Sequence, residues 1–380
     1  MKEQSTYTAP MSPLAVAAAG HAALAVGMGI GRFAFTPVLP LMQAEGLLDL
    51  AGGGWLAAAN YAGYLAGALS APLLSRPHGV RLGLAGIAIL TLAMGLDQHL
   101  SAWIALRAAA GLASAWVLIH VSAWSLERLA QPARPVLSGV VYAGVGSGSM
   151  LAGLVCVLAI QLQLGARHAW LALGAIALGA TVALWPVFNE TNKSGSSGGG
   201  HRWNGESVRL VLCYAAFGFG YIIPATFIPA FARETLRDPA LYGWAWPIFG
   251  AAAAASTVAV TPLVRHFGER GVWIGGHLVM AAGVAAPLAL SGLTGILASA
   301  LCVGATFVVI TMAGLQEARK LRGPGVLAAM TAGFAAGQIA GPAFVSLLVH
   351  AGGRPEHASV AACLLLVASA LALFLRRPER

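Results

Sequence analysis

The chain has 380 residues, of which 58% are hydrophobic and only 9% charged, against roughly 25% charged in an ordinary soluble domain. Apolar stretches of about 20 residues recur between short polar interruptions, which excludes a water-soluble globule and predicts a polytopic α-helical membrane protein. The formal charge of +9 does not signify nucleic acid, because Lys and Arg lie at the ends of apolar runs and leave no basic stripe.

In chain order, the first apolar run extends from Leu14 to Met42, broken only by His21, Arg32 and two prolines. It is about twice the length of a signal-peptide core, so an uncleaved helix is expected. Further runs cover roughly 54–74, 82–96, 100–126, 136–162 and 168–188. Residues 189–207 then read as a flexible linker, rich in glycine and serine through Ser194-Gly-Ser-Ser-Gly-Gly-Gly200. Six more runs follow at roughly 208–231, 242–264, 272–290, 293–315, 326–349 and 358–375. The expectation is an all-α membrane protein with twelve transmembrane helices: a first six-helix bundle in residues 1–188, a cytoplasmic linker in 189–207, and a second bundle in 208–380. With the amino terminus inside, sixteen basic residues fall on the cytoplasmic side and four outside. The positive-inside bias therefore places both termini in the cytoplasm.

The two halves repeat. A shift of 189 residues lays Gly29-Ile-Gly31-Arg32 on Gly218-Phe-Gly220-Tyr221, Pro40 on Pro229, Gly54-Trp55 on Gly243-Trp244, and Gly144 and Gly148 on Gly333 and Gly337. Repeats with an even number of spans enter from the same side and are related by a pseudo-twofold axis along the membrane normal. That symmetry suits rocking of two bundles about a midplane site, hence secondary transport. A duplicated bundle that only senses or scaffolds is the alternative.

This layout resembles the major facilitator superfamily. Ala71-Pro-Leu-Leu-Ser75-Arg76-Pro-His-Gly79-Val-Arg81 is similar to its G-x-x-x-D-R-x-G-R-R loop, with Ser75 in place of the acid and His78 as an apparent insertion. The second copy, Thr261 to Arg270, keeps Gly268 and Arg270. Arg107-Ala-Ala-Ala-Gly111 resembles the superfamily's R-x-x-x-G element of helix four. Gly144-Val-Gly-Ser-Gly148 and Gly333-Phe-Ala-Ala-Gly337-Gln338-Ile-Ala-Gly341-Pro342 resemble its glycine-rich antiporter-type helix. The segments Gly29 to Pro37 and Gly54 to Gly67 are similar to the YbfB/YjiJ branch of bacterial facilitators, which implies a bacterial inner membrane and supplies no substrate.

Arg32 and Arg107 are the only Lys or Arg residues inside spans, where a charge requires water, a partner or a ligand. Both fall roughly 10 to 15 Å below the outer surface at 1.5 Å per residue. The resemblance implies that helices one and four line a central cavity, where two guanidinium forks could hold a carboxylate or phosphate. In the competing readings Arg32 snorkels or bonds carbonyls freed before Pro37 and Pro40, and Arg107 is a structural or coupling arginine. All thirteen Asp and Glu lie outside the spans, which favours an organic anion over proton-driven export of cationic drugs. Proton-coupled efflux of drug-like compounds is the runner-up.

If protons are coupled, a histidine is the natural carrier. His21, three helical turns before Arg32 and so on its face, is the first choice, ahead of His120 and His277. Tyr221, Asn60, Tyr61 and Gln338 are candidate hydrogen-bonding groups for the solute. Gly144, Gly148, Gly337 and Gly341 are expected at an interface between the bundles, with Pro342 bending its helix. No nucleotide, protease or hydrolase motif occurs, so no enzyme is expected. Nor is a cofactor or metal: Cys156, Cys213, Cys302 and Cys363 are more than 50 residues apart. The expected partners are a small-molecule solute, the lipid bilayer and protons as a candidate coupling ion, for a monomeric protein.

Overall fold

The computed structural model describes residues 11–96, 99–129, 135–188, 203–236, 238–321 and 324–375. Lipid offers no partner to a backbone N–H or C=O, so apolar runs that cross it must close their hydrogen bonds internally as helices. Among the described residues every regular element is helical. The first span is composite: α1 (Pro13–Leu24), a π-helical segment (Ala25–Ile30), a turn, and α2 (Phe35–Ala44). Then come α3 (Leu50–Ser70), α4 (Arg76–Met94), α5 (Leu100–Leu129), α6 (Pro135–Gln161) and α7 (Ala166–Leu184). After the linker follow α8 (Gly205–Leu236), the short α9 (Pro239–Tyr242), α10 (Ala245–Ala289), α11 (Gly292–Lys320), α12 (Pro324–His350) and α13 (Pro355–Phe374).

Ten of these helical stretches are long and apolar enough to cross a membrane, the composite first span counting as one. Helix α10 runs 45 residues, more than twice what a bilayer needs, and breaks at Gly268, whose φ of 68° suits glycine alone among ordinary residues. The 21 residues of α3 are also of crossing length. Residues 189–202 of the expected linker lie outside the described residues. Its last part is corrected, because α8 already starts at Gly205, with Asn204 Oδ1 accepting the Ser207 N–H at 2.8 Å.

Two acids that border the spans have structural work. Asp49 accepts from Gly52 N at 2.7 Å at the start of α3, and Glu45 accepts from Ala166 N at 2.7 Å at the start of α7. Both satisfy orphan donors where the helix dipole favours negative charge.

We call the side on which the first span begins the near side. There the duplication is visible in hydrogen bonds. Arg81 donates to Trp185 O at 2.7 and 3.1 Å, closing the end of α7; Arg270, 189 residues on, donates to Leu373 O at 2.9 Å near the end of α13. Arg76 pairs with Glu127 of α5, which supplies from a neighbouring helix the acid that Ser75 does not, while Ser75 Oγ bonds His78 Nδ1 at 2.6 Å. Gly79 lies against the His120 ring. In the second half Arg270 reaches Glu206 at 2.7 Å and Glu317 at 3.7 Å, and Lys320 holds Glu269 at 2.8 Å. Hydrogen bonding from Lys320 keeps the Glu269 carboxyl below its usual range.

The halves meet along two equivalent seams, α6 against α10 and α3 against α12. At the first, a side chain on Gly146 would strike the backbone of Gly250 and Ala254; at the second, one on Gly54 would strike Pro342 O and Ser346. The glycines expected between bundles lie elsewhere, which is a correction. Gly144 and Gly148 abut the backbone of His21 and Ala25 in the first span, and Gly337 and Gly341 abut α8. Residues four apart share one face of α6, and Gly146, midway between them, points the other way. Helix α12 continues through Pro342 to His350.

Candidate binding site between the halves

The site begins with a fault in the first span. Gly31 N bonds Val26 O at 2.9 Å and Phe33 N bonds Met28 O at 3.0 Å, a five-residue spacing that widens the turn. Pro37 has no N–H for Phe33 O, which instead takes Thr36 N at 3.1 Å. The Arg32 carbonyl therefore loses its normal donor. Arg107 of α5 replaces it, giving Nη2 to Arg32 O at 2.8 Å and Nη1 to Gly31 O at a longer 3.3 Å. Asn60 Nδ2 donates to Arg107 O at 2.8 Å and closes the clasp. Arg107 is 2% exposed, with the rings of Phe35 and Trp170 at 5.5 and 6.0 Å.

Arg32 is placed differently. It is 3% exposed, and its guanidinium carbon lies 4.2 Å from the Tyr64 ring centre, 5.0 Å from Tyr61 and 5.3 Å from Phe33. Its Nε and Nη2 have no hydrogen-bond partner. These two donors form one edge of the planar guanidinium, the edge that takes a carboxylate side-on. The two arginines are thus neighbours, but they do not form a matched fork: Arg107 gives both terminal nitrogens to backbone oxygens and leaves only its Nε without a partner, whereas Arg32 keeps a whole free edge.

Across the interface, Tyr221 of α8 lies within electrostatic range of Arg32, Tyr61 and Tyr64. Gln338 Nε2 donates to the Tyr221 hydroxyl, and Gln338 Oε1 is buried without a partner. One turn from Arg32, Thr36 Oγ1 donates to Ala225 O at 3.1 Å. That carbonyl is free because Pro229, four residues later, has no N–H. Thr36 and Ala225 are 189 residues apart, the repeat shift itself. A residue bonded to its own repeat mate lies on the pseudo-twofold axis, so the axis runs beside Arg32 and Tyr221. Tyr61 OH and Thr226 Oγ1, 3.3 Å apart, add a second bridge. Replacing Thr36 by Val should remove about 1 kcal/mol from this contact between the halves. A membrane-impermeant thiol reagent should then reach a cysteine introduced at Val38 about five times faster. An unchanged rate would mean that the Thr36 bond does not hold the halves together here.

His21 does not join Arg32. Its Nδ1 is 2.8 Å from Val140 O and its Nε2 is 2.7 Å from Ser147 Oγ, so it faces α6 while Arg32 faces α3. The three-turn count assumed an unbroken α-helix, and the π segment changes the phase. His277, by contrast, is fully buried beside Trp273 and Phe217, with neither ring nitrogen partnered. The reading from sequence missed Thr36, Thr226 and Tyr64. For Thr36 a signal existed: it is the repeat mate of a residue four before a proline.

Comparison with known proteins agrees with this architecture. The crystal structure of a mutant of the nucleoside transporter NupG superposes with a TM-score of 0.71 at 15% identity, over 94% of this chain and 99% of that one, which is a likeness of fold. No curated protein matches in sequence. Residues 24–373 match the family described as "Uncharacterised MFS-type transporter YbfB". The chain therefore belongs to the YbfB-type family of the major facilitator superfamily, and is a multi-pass membrane transporter of the secondary, non-enzymatic kind.

Proposed function

We propose that this transporter carries a small organic anion across the bacterial inner membrane by alternating access, with Arg32 as the anchor for the anionic group. The observation that carries the reading is the buried, unpartnered Nε and Nη2 edge of Arg32 beside the pseudo-twofold axis. A charge so placed costs several kcal/mol unless water or a counterion meets it, and no carboxylate occurs within the expected spans to do so. Tyr221 and Gln338 supply hydrogen bonds from the second half. Arg107 and Asn60 act one step back, holding the broken span in the shape that presents Arg32.

In this proposal twelve crossings form two rigid bundles, residues 1–188 and 208–380, joined by 189–207, with the near side and both termini in the cytoplasm. The seams α6/α10 and α3/α12 are the surfaces on which the bundles rock, and the Thr36–Ala225 bridge closes the outer side. His21, the carrier that the sequence favours if protons are coupled, has both ring nitrogens occupied.

Flux in proteoliposomes tests the reading. Uptake of labelled small carboxylates should be saturable and lost in Arg32→Gln. Transport of cationic drugs with no carboxylate flux would overturn it in favour of drug efflux.

A further inference from the structure

The second half holds a row of aromatic rings that meets the first half at Phe33, the residue after Arg32. Trp246 and Phe249 of α10 stack at 4.3 Å and 8°, and Phe249 stacks on Phe307 of α11 at 5.3 Å and 16°. Phe307 and Phe334 of α12 each lie 5.7 Å from Tyr221 of α8, at 4° and 3°. Five rings from four helices are therefore nearly parallel. The row reaches the first half through Phe33, next in sequence to Arg32, which meets Phe307 edge-on at 5.8 Å and Trp246 at 6.3 Å.

The duplication provides an internal control on whether the fold needs this row. Shifted back by 189 residues, Trp246, Phe249, Phe307, Tyr221 and Phe334 fall on Ala57, Asn60, Leu118, Arg32 and Val145. The first bundle is built without one aromatic ring at these positions. Helix packing in lipid favours small residues that let backbones approach, and both seams use glycine in that way. Packing alone gives no reason to align five rings on one half, beside the residue that follows Arg32.

We propose that the transported anion is an aromatic carboxylate, its carboxylate taken by Arg32 and its ring laid against the parallel rings of the second half. This rests on the assignment of Arg32 as the anion anchor. The two bundles then recognise different parts of one solute: charge on the first, a flat π-face on the second. Stacked or edge-on ring contacts exceed the contribution of buried area alone, so a saturated ring of the same charge should bind less well.

The test is thermal stabilisation of the purified full-length protein by three matched probes: benzoate, cyclohexanecarboxylate and benzamide. Benzoate should bind about three- to tenfold more tightly than cyclohexanecarboxylate, and benzamide should give no shift. Phe307→Leu should erase the preference for benzoate over cyclohexanecarboxylate. The probe series on the unaltered protein needs no variant to fold. Equal binding of the two acids would overturn the aromatic assignment and leave Arg32 as the anion anchor. Binding of benzamide as tight as that of benzoate would overturn the anchor itself, and no shift with any probe in a folded sample would overturn both.

Discussion

Changing Arg32 to Gln should leave the resting protein at least as stable as before while abolishing stabilisation by carboxylates; Arg107→Gln should do the reverse. At Arg32, the substitution removes cation–π contacts worth about 0.5–2 kcal/mol. It also removes a charge whose burial in a membrane interior costs about 2.5–3.5 kcal/mol on insertion scales. The second quantity is the larger, and two unpartnered donors disappear with it. At Arg107 the same burial cost is outweighed, because two charge-assisted bonds to buried carbonyls are lost with the charge. Its Nη2 bond to Arg32 O is short, charge-assisted and fully buried, worth about 1.5–3 kcal/mol. Losing it leaves a carbonyl orphaned in a place water does not reach. An apparent Tm lower by roughly 5 °C follows from about 2–4 °C per kcal/mol in large domains. Thermal unfolding of both variants, with and without benzoate, checks the pair. Equal destabilisation by the two substitutions would make Arg32 a structural residue and remove the basis for an anion site.

That division of labour could not be read from the sequence, and the reasons are specific. Composition and periodicity make the spans plain, because lipid leaves the chain almost no alternative to a helix. The duplication is equally plain from Gly54-Trp55 against Gly243-Trp244. A buried arginine, however, looks the same whether it faces a solute or a freed carbonyl. Deciding requires knowing that Pro37 diverts Thr36 N to Phe33 O and strands the Arg32 carbonyl. The π segment at Ala25–Ile30 leaves no trace in hydropathy, yet it separates His21 from the face of Arg32. The aromatic row is scattered over four helices between residues 221 and 334, so only the assembled bundle reveals it.

The glycine faces on α6 were misassigned for a related reason, and the corrected geometry carries the second large prediction. A side chain at Gly148 would place its Cβ 2.7 Å from Ala25 Cα and 2.8 Å from Ala25 C. From the opposite side, a Cβ on Gly29 would lie 2.8 Å from Ser149 N. Backbone meets backbone in both directions, so no rotamer change can make room, and the helices must separate. Gly148→Leu should therefore push the π segment off α6, with a cost at or above the 1–3 kcal/mol usual for overpacking. Because Arg32 follows that segment directly, even a variant that inserts should lose benzoate binding along with stability. Gly179 of α7 has nothing within 4 Å of its added Cβ, so Gly179→Leu serves as the control of equal size. Size-exclusion profiles and melting curves of the two variants should differ, with Gly148→Leu aggregated or strongly destabilised and Gly179→Leu close to the parent. Matching profiles would mean that the first span does not depend on its contact with α6.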